Sequence, residues 1–294
     1  MNTDLDTHLA TGLTTVARCW GIERKDGARF GFTDHDCDLS FEGFSFRADT
    51  GLTAMALSQT TGLAIDNSEG LGALSDASVR EADIEAGRFD GAAVLCWLVN
   101  WADVAARRLL FRGEIGELHR ADGAFRAELR GLSAALNKPM GRAYHRTMAA
   151  GAPDAAFGFD VDMAGYHDLR DVEEVEDRRL FRFAAMPGFE PGWFTHGRLR
   201  VLSGAAIGLV GAIKRDETLA NGQREIELWE PIRAPVQTGD ALRLDAGFDG
   251  RFDTCRLKFA SAEAYRGFPD IPGEDWLTSY PRADGRNSGG SLRE

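Results

Sequence analysis

The sequence is short of basic charge, of paired cysteines and of long apolar runs. Lysine and arginine total 34 against 46 acidic residues over 294 positions, a formal net charge of −12. Such a chain repels a nucleic-acid backbone, which argues against sequence-independent DNA binding by the isolated chain. It leaves open a pore through which DNA slides without sticking. No apolar run approaches the roughly 18 residues that a membrane helix needs, so no membrane insertion of its own is expected. The first residues, MNTDLDTHLATGLTT, have no basic start followed by an apolar core, so no signal peptide is expected. The four cysteines, Cys19, Cys37, Cys96 and Cys255, lie far apart and form no CxxC pair. They are expected as buried free thiols, because free cysteine is among the most buried residue types and a cytosolic setting disfavours disulfides.

Catalytic signatures are missing as well. None of the six histidines, His8, His35, His119, His145, His167 and His196, belongs to an HExxH or another spaced ligand pair. There is no GxSxG elbow, no P-loop and no GxGxxG opening a helix. Cys96 sits in an apolar run that should raise its pKa and keep it inert. The densest ligand-capable cluster is Asp34-His35-Asp36-Cys37-Asp38. On a strand its three carboxylates would share one face and His35 and Cys37 the other, so a solvated hairpin end is expected there. The run DVEEVEDRR (Asp171–Arg179) reads as a solvated face with an adjacent arginine pair. No catalytic, cofactor-binding or metal-binding residue is assigned.

What the sequence does contain is short strands. Apolar residues make up 44% of it, enough to fill real cores, and the length suggests two domains. Strand runs flank Lys25-Asp26-Gly27, a hairpin signal. Phe41, Phe44 and Phe46 read as a strand pair broken at Glu42-Gly43. Ala92–Asp103 is too apolar for an edge and reads as a buried central strand. Two further strands flank Ala121-Asp122-Gly123. Helices are expected at Thr3–Leu9, in a short turn at Leu132–Leu136, and near Glu81, Ile84 and Glu85 with Ser75 as the cap. Beyond a Gly-, Ala- and Pro-rich break, alternating runs resume, with turns at Ser203-Gly204 and Thr238-Gly239-Asp240. Ile226, Leu228 and Trp229 are expected near the core. Trp193, Phe194, Tyr265, Phe268 and Trp276 are expected either in the core or as subunit anchors. The expected architecture is mainly β with few short helices and several domains. It comprises a β-rich, tube-like unit over 1–137, a connecting loop over 138–165, a small β-barrel-like domain over 166–280 and a flexible tail over 281–294.

The segment AGFDGRFDTCRLKFASAEAYRGFPDIPG (Ala246–Gly273) resembles the C-terminal signature of a phage tail-tip family, of the form GCDxRFxTCxxKFxNxxNFRGFPxIPG. CWLVNWAD, LLFRGEIGELHR, FRAELRGLSAALNKPMGR and IELWEPIRAPVQTGDALRL resemble further stretches, so the likeness runs from about Val16 to Gly273. That family includes the baseplate hub of alphaproteobacterial gene transfer agents and is related to the lambda-type tail tip protein. The resemblance implies a structural hub, not an enzyme, in the tail of a virion-like particle assembled in the bacterial cytoplasm. The implied arrangement is a homotrimeric ring between the distal tail protein and a tip fibre or receptor-binding protein. A cell-wall peptidase would be a further partner, and DNA would be cargo in the channel. The alternatives are a cell-wall-degrading tail-tip enzyme and an iron–sulfur protein. In many members of the family four cysteines are thought to hold an iron–sulfur cluster. At the matching positions this sequence has Met148, Phe157, Phe248 and Cys255, so no cofactor is expected, and loop 146–160 is expected to pack on turn 247–255 through apolar contact.

Overall fold

The computed structural model describes residues 3–12, 14–48, 67–70, 79–121, 124–131, 141, 143–151 and 157–271. The chain divides into two compact units, Met1–Met140 and Gly141–Glu294. The described residues are mainly β, with only short helices, in line with the sequence expectation.

The first unit opens with helix α1 (Thr3–Ala10). Its strands are β1 (Val16–Glu23), β2 (Arg29–Thr33), β3 (Leu39–Phe41), β4 (Phe44–Arg47), β5 (Asn67–Gly70), β6 (Ala93–Asn100), β7 (Arg107–Ala121) and β8 (Ala124–Gly131). They form one sheet in the order β3-β4-β2-β1-β6-β7-β8-β5. The hairpin at Lys25-Asp26-Gly27 joins β1 to β2, with Ile22 opposite Phe30. Glu42 and Gly43 both take positive φ, 50° and 76°, the backbone that a two-residue hairpin turn between β3 and β4 requires. β6 explains its own apolarity. Val94 and Cys96 pack with Trp20, Ile22, Phe32, Phe89 and Phe111 in one cluster, while Trp97 and Val99 pack with Cys19, Phe41, Phe44 and Phe46 in another. A strand in mid-sheet, apolar on both faces, loses the polar alternation of an edge. A register shift at Cys96/Trp97 adjusts its pairing with β7.

Helix α2 (Glu81–Glu85) forms where the amphipathic turn is expected, but the residue at its N-cap is Arg80, which makes no side-chain capping bond. Ser75, the expected cap, lies outside the described residues, as do the expected turn at Leu132–Leu136 and Asp122-Gly123 between β7 and β8.

The second unit carries β9 (His167–Asp171), β10 (Glu174–Glu176), β11 (Leu180–Phe183), β12 (Arg198–Val201), β13 (Val210–Thr218), β14 (Arg224–Leu228) and β15 (Ala241–Asp245). Their order is β10-β11-β14-β13-β12-β15-β9. The two end strands are consecutive in the chain, separated by Val172 and Glu173, so the sheet curls until its ends meet at that corner. Val172 N–H donates to Asp240 O on one side, and Glu173 N–H to Arg182 O on the other. Phe181, Phe183, Leu199, Val201, Ile213, Ile226, Leu228, Leu242 and Leu244 are fully buried, the core of a small barrel-like sheet. Trp229 corrects the sequence expectation: β14 ends at Leu228, and the indole stands 57% exposed beyond it. Helix α3 (Phe252–Leu257) follows β15 and lies where the sequence reads as a turn.

Candidate functional site

The segments that carry the family-like motif meet at one corner of the second unit. Met148, Phe157, Ala246, Phe248, Cys255 and Phe259 form a single buried cluster. Phe157 lies flat against Phe248, ring centroids 4.8 Å apart and planes within 5° of parallel. Phe259 meets both edge-on, at 5.4 and 5.7 Å, and Phe159 and Tyr166 extend the stack. Offset and edge-on contacts are the arrangements that the aromatic quadrupole favours.

Backbone bonds clip the segments together around this cluster. Met148 N–H donates to Gly250 O at 2.8 Å. Gly250 has φ 77°, and a Cβ there would stand 2.5 Å from Met148 O, so this close approach requires glycine. Gly247 is tighter still, since a Cβ would lie 1.7 Å from Thr195 O. The Tyr265 hydroxyl donates to Arg146 O and to Gly250 O. Phe268 N–H donates to His145 O at 2.9 Å, and Arg146 Nε to Ile271 O at 2.6 Å.

Beside the cluster is a cleft of about 530 Å³, whose walls include Glu190, Trp193, His196, Asp249, Thr254 and Lys258. Lys258 donates to Trp193 O and to Gly247 O, and its ammonium lies 4.4 Å over the Trp193 ring. Burial pushes its pKa down to about 8, against the opposing pull of Asp216, Asp249 and Glu190. The wall at 189–194 is held from below by Arg224, which is almost wholly buried. It pairs with fully buried Asp216 and donates to Phe189 O and Glu190 O. Asp216 also accepts from Phe194 N–H at 2.8 Å. The Lys258 clamp and the Arg224–Asp216 pair went unseen in the sequence. The available signal was a lysine, one of four in the chain, set between Leu257 and Phe259.

The other sequence-flagged residues have local roles. Residues 34–37 form bends and not a strand, so their side chains do not alternate across a sheet. Asp34 accepts from Arg18 N–H at 2.6 Å, Asp38 from Ala48 N–H at 2.9 Å, and His35 stacks on Trp101. Cys37 is exposed, which corrects the expectation of four buried thiols. Burial raises the thiol of Cys19 to about 11 and that of Cys96 to about 12, leaving little thiolate at neutral pH. In the acidic run, Glu174 and Glu176 pair with Arg182, and Arg179 pairs with Glu227. Phe194 is core, while Phe268 is 41% exposed and packs on Tyr144. Trp276 lies outside the described residues. Among the described residues no group of three His, Cys, Asp or Glu is arranged to hold a metal ion.

An iron–sulfur cluster, as many members of the resembling family are thought to hold, does not fit this corner. Cys₄ ligation needs four thiolates. Here one thiol faces a thioether and two phenyl rings, and its three counterparts in the sequence belong to the first unit.

Residues 2–152 match the family model "Baseplate hub protein, N-terminal attachment domain". Residues 192–275, which include most of the corner, match "Phage conserved hypothetical protein BR0599". Four chains of solved structures match. One, from "Virion of native gene transfer agent (GTA) particle", is 51% identical with a TM-score of 0.89, over 98% of this chain and 99% of that one. No curated protein matches significantly.

Proposed function

The chain belongs to the baseplate hub family, and from that premise we propose that it is the hub of a siphophage-like tail in a gene transfer agent. It forms a trimeric ring that links the distal tail ring above to the tip fibre protein below, and it lines the channel through which DNA leaves. The observation that carries this reading is the end-to-end likeness, at 51% identity, to a chain of a gene transfer agent virion. The first unit, which carries most of the attachment-domain match, is the part that docks on the ring above.

The work of such a hub is geometric. An acidic chain, with formal charge −12, lets a polyanion pass without trapping it. The thiols of Cys19 and Cys96 are held protonated by burial, and the polar groups at the corner are engaged with backbone carbonyls. Cell-wall cleavage belongs to a partner protein. The test is deletion of the gene with complementation in the producing cell. Loss of complete tails and of DNA transfer, both restored by the wild-type copy, is expected. Incubation of the pure chain with peptidoglycan should release no fragments, and released fragments would favour a tail-tip enzyme instead.

A further inference from the structure

We propose that the corner built by Met148, Phe157, Phe248 and Cys255 is a metal-free joint, in which an aromatic stack holds together two segments that four thiolates would otherwise tie through iron. The four side chains converge in one buried cluster, and of the four only Cys255 brings a thiol. A phenyl ring offers iron no lone pair, and a thioether is a soft, neutral ligand. Phe157 and Phe248 are in face-to-face contact at 4.8 Å, which leaves no space between them for a cluster. Phe259 closes the edge against both rings.

Cys255 gives an independent indication. Its Sγ lies 3.0 Å from Ser261 O, the geometry of a thiol donating to a carbonyl. A metal-bound thiolate has no proton to donate and would be repelled by that oxygen. Burial also raises the Cys255 pKa, in the direction that keeps the proton in place. The closure is then completed by hydrogen bonds, Met148 N–H to Gly250 O and the Tyr265 hydroxyl to Gly250 O, all of which survive without metal or reductant.

The joint is accordingly indifferent to oxygen, chelators and iron supply. The test uses the full wild-type chain, purified without oxygen, with iron and acid-labile sulfide measured per chain and thermal unfolding followed with and without a strong iron chelator. The expected result is iron and sulfide far below stoichiometry, no visible charge-transfer absorption, and the same melting temperature in chelator, in air and under reductant. Stoichiometric iron with sulfide, or a melting temperature that falls on chelation, would overturn the proposal. None of these readouts depends on tail assembly, so the outcome is separable from that of the hub assignment.

Discussion

Phe157 and Phe248 stack face to face, 4.8 Å between ring centroids, although 91 positions of sequence separate them. The pair joins the segment before β9 to the segment after β15, and the rest of the corner is organised around it. Truncating either ring removes buried area and leaves a cavity that the neighbouring rings cannot fill. Phe157→Ala or Phe248→Ala should each cost about 3–5 kcal/mol. Chemical denaturation monitored by fluorescence checks this. The double variant should cost less than the sum of the two, because the residues are in contact.

Gly247 is fixed by space alone. Gly247→Ala would drive a methyl into Thr195 O, a backbone atom with nowhere to retreat. The loss should be at or above the ~3 kcal/mol upper end of ordinary overpacking. Gly239→Ala is the control, since nothing lies within 4 Å of its Cβ and only the positive φ opposes it. A melting-temperature comparison of the two variants separates crowding from backbone strain.

Arg224 and Asp216 form a buried pair that supports the cleft wall. Asp216→Ala strands a buried guanidinium and should destabilise by about 3–5 kcal/mol. Replacing both residues with apolar ones of similar size should recover much of that loss, although Glu190 O and Phe189 O lose their donor. A double-mutant cycle by urea unfolding measures the coupling.

The pH dependence of stability has a definite sign at Lys258. Its folded pKa is depressed, about 8 against an ordinary 10.5. Between those values the unfolded chain binds more protons than the folded one, so this residue makes stability rise with pH across that window. Below about pH 8 both states are charged, and the desolvation cost is fully present. The thiols of Cys19 and Cys96 act oppositely, because raised pKa values make stability fall as pH passes about 9. Subtracting the pH profile of Lys258→Met from that of wild type isolates the lysine. The wild type should gain on the variant from pH 8 to 10.5, as read from urea midpoints.

The β-rich character was legible because periodicity and turn chemistry are local. Glu42-Gly43 announced its hairpin, and the doubly buried strand β6 announced itself by its lack of polar residues. The meeting of Met148, Phe157, Phe248 and Cys255 was readable too, but through the resemblance to a family and not through any pattern in the residues themselves. The misses share a cause. Trp229 follows an alternating strand by one residue, and nothing local says that the strand has ended. Helix α3 has no side-chain cap at Arg251, so no start signal marks it. Lys258 and the Arg224–Asp216 pair depend on partners 8 to 65 residues away, and burial of a charge is decided by tertiary contacts that a window of sequence does not contain.

The central claim, that this chain acts by shape as the hub of a tail, is tested most directly by cryo-electron microscopy of intact particles from the producing cell. Density that fits this fold is expected in a three-fold ring between the distal tail ring and the tip. Particles with complete, DNA-delivering tails in which that ring is built by another protein would contradict it.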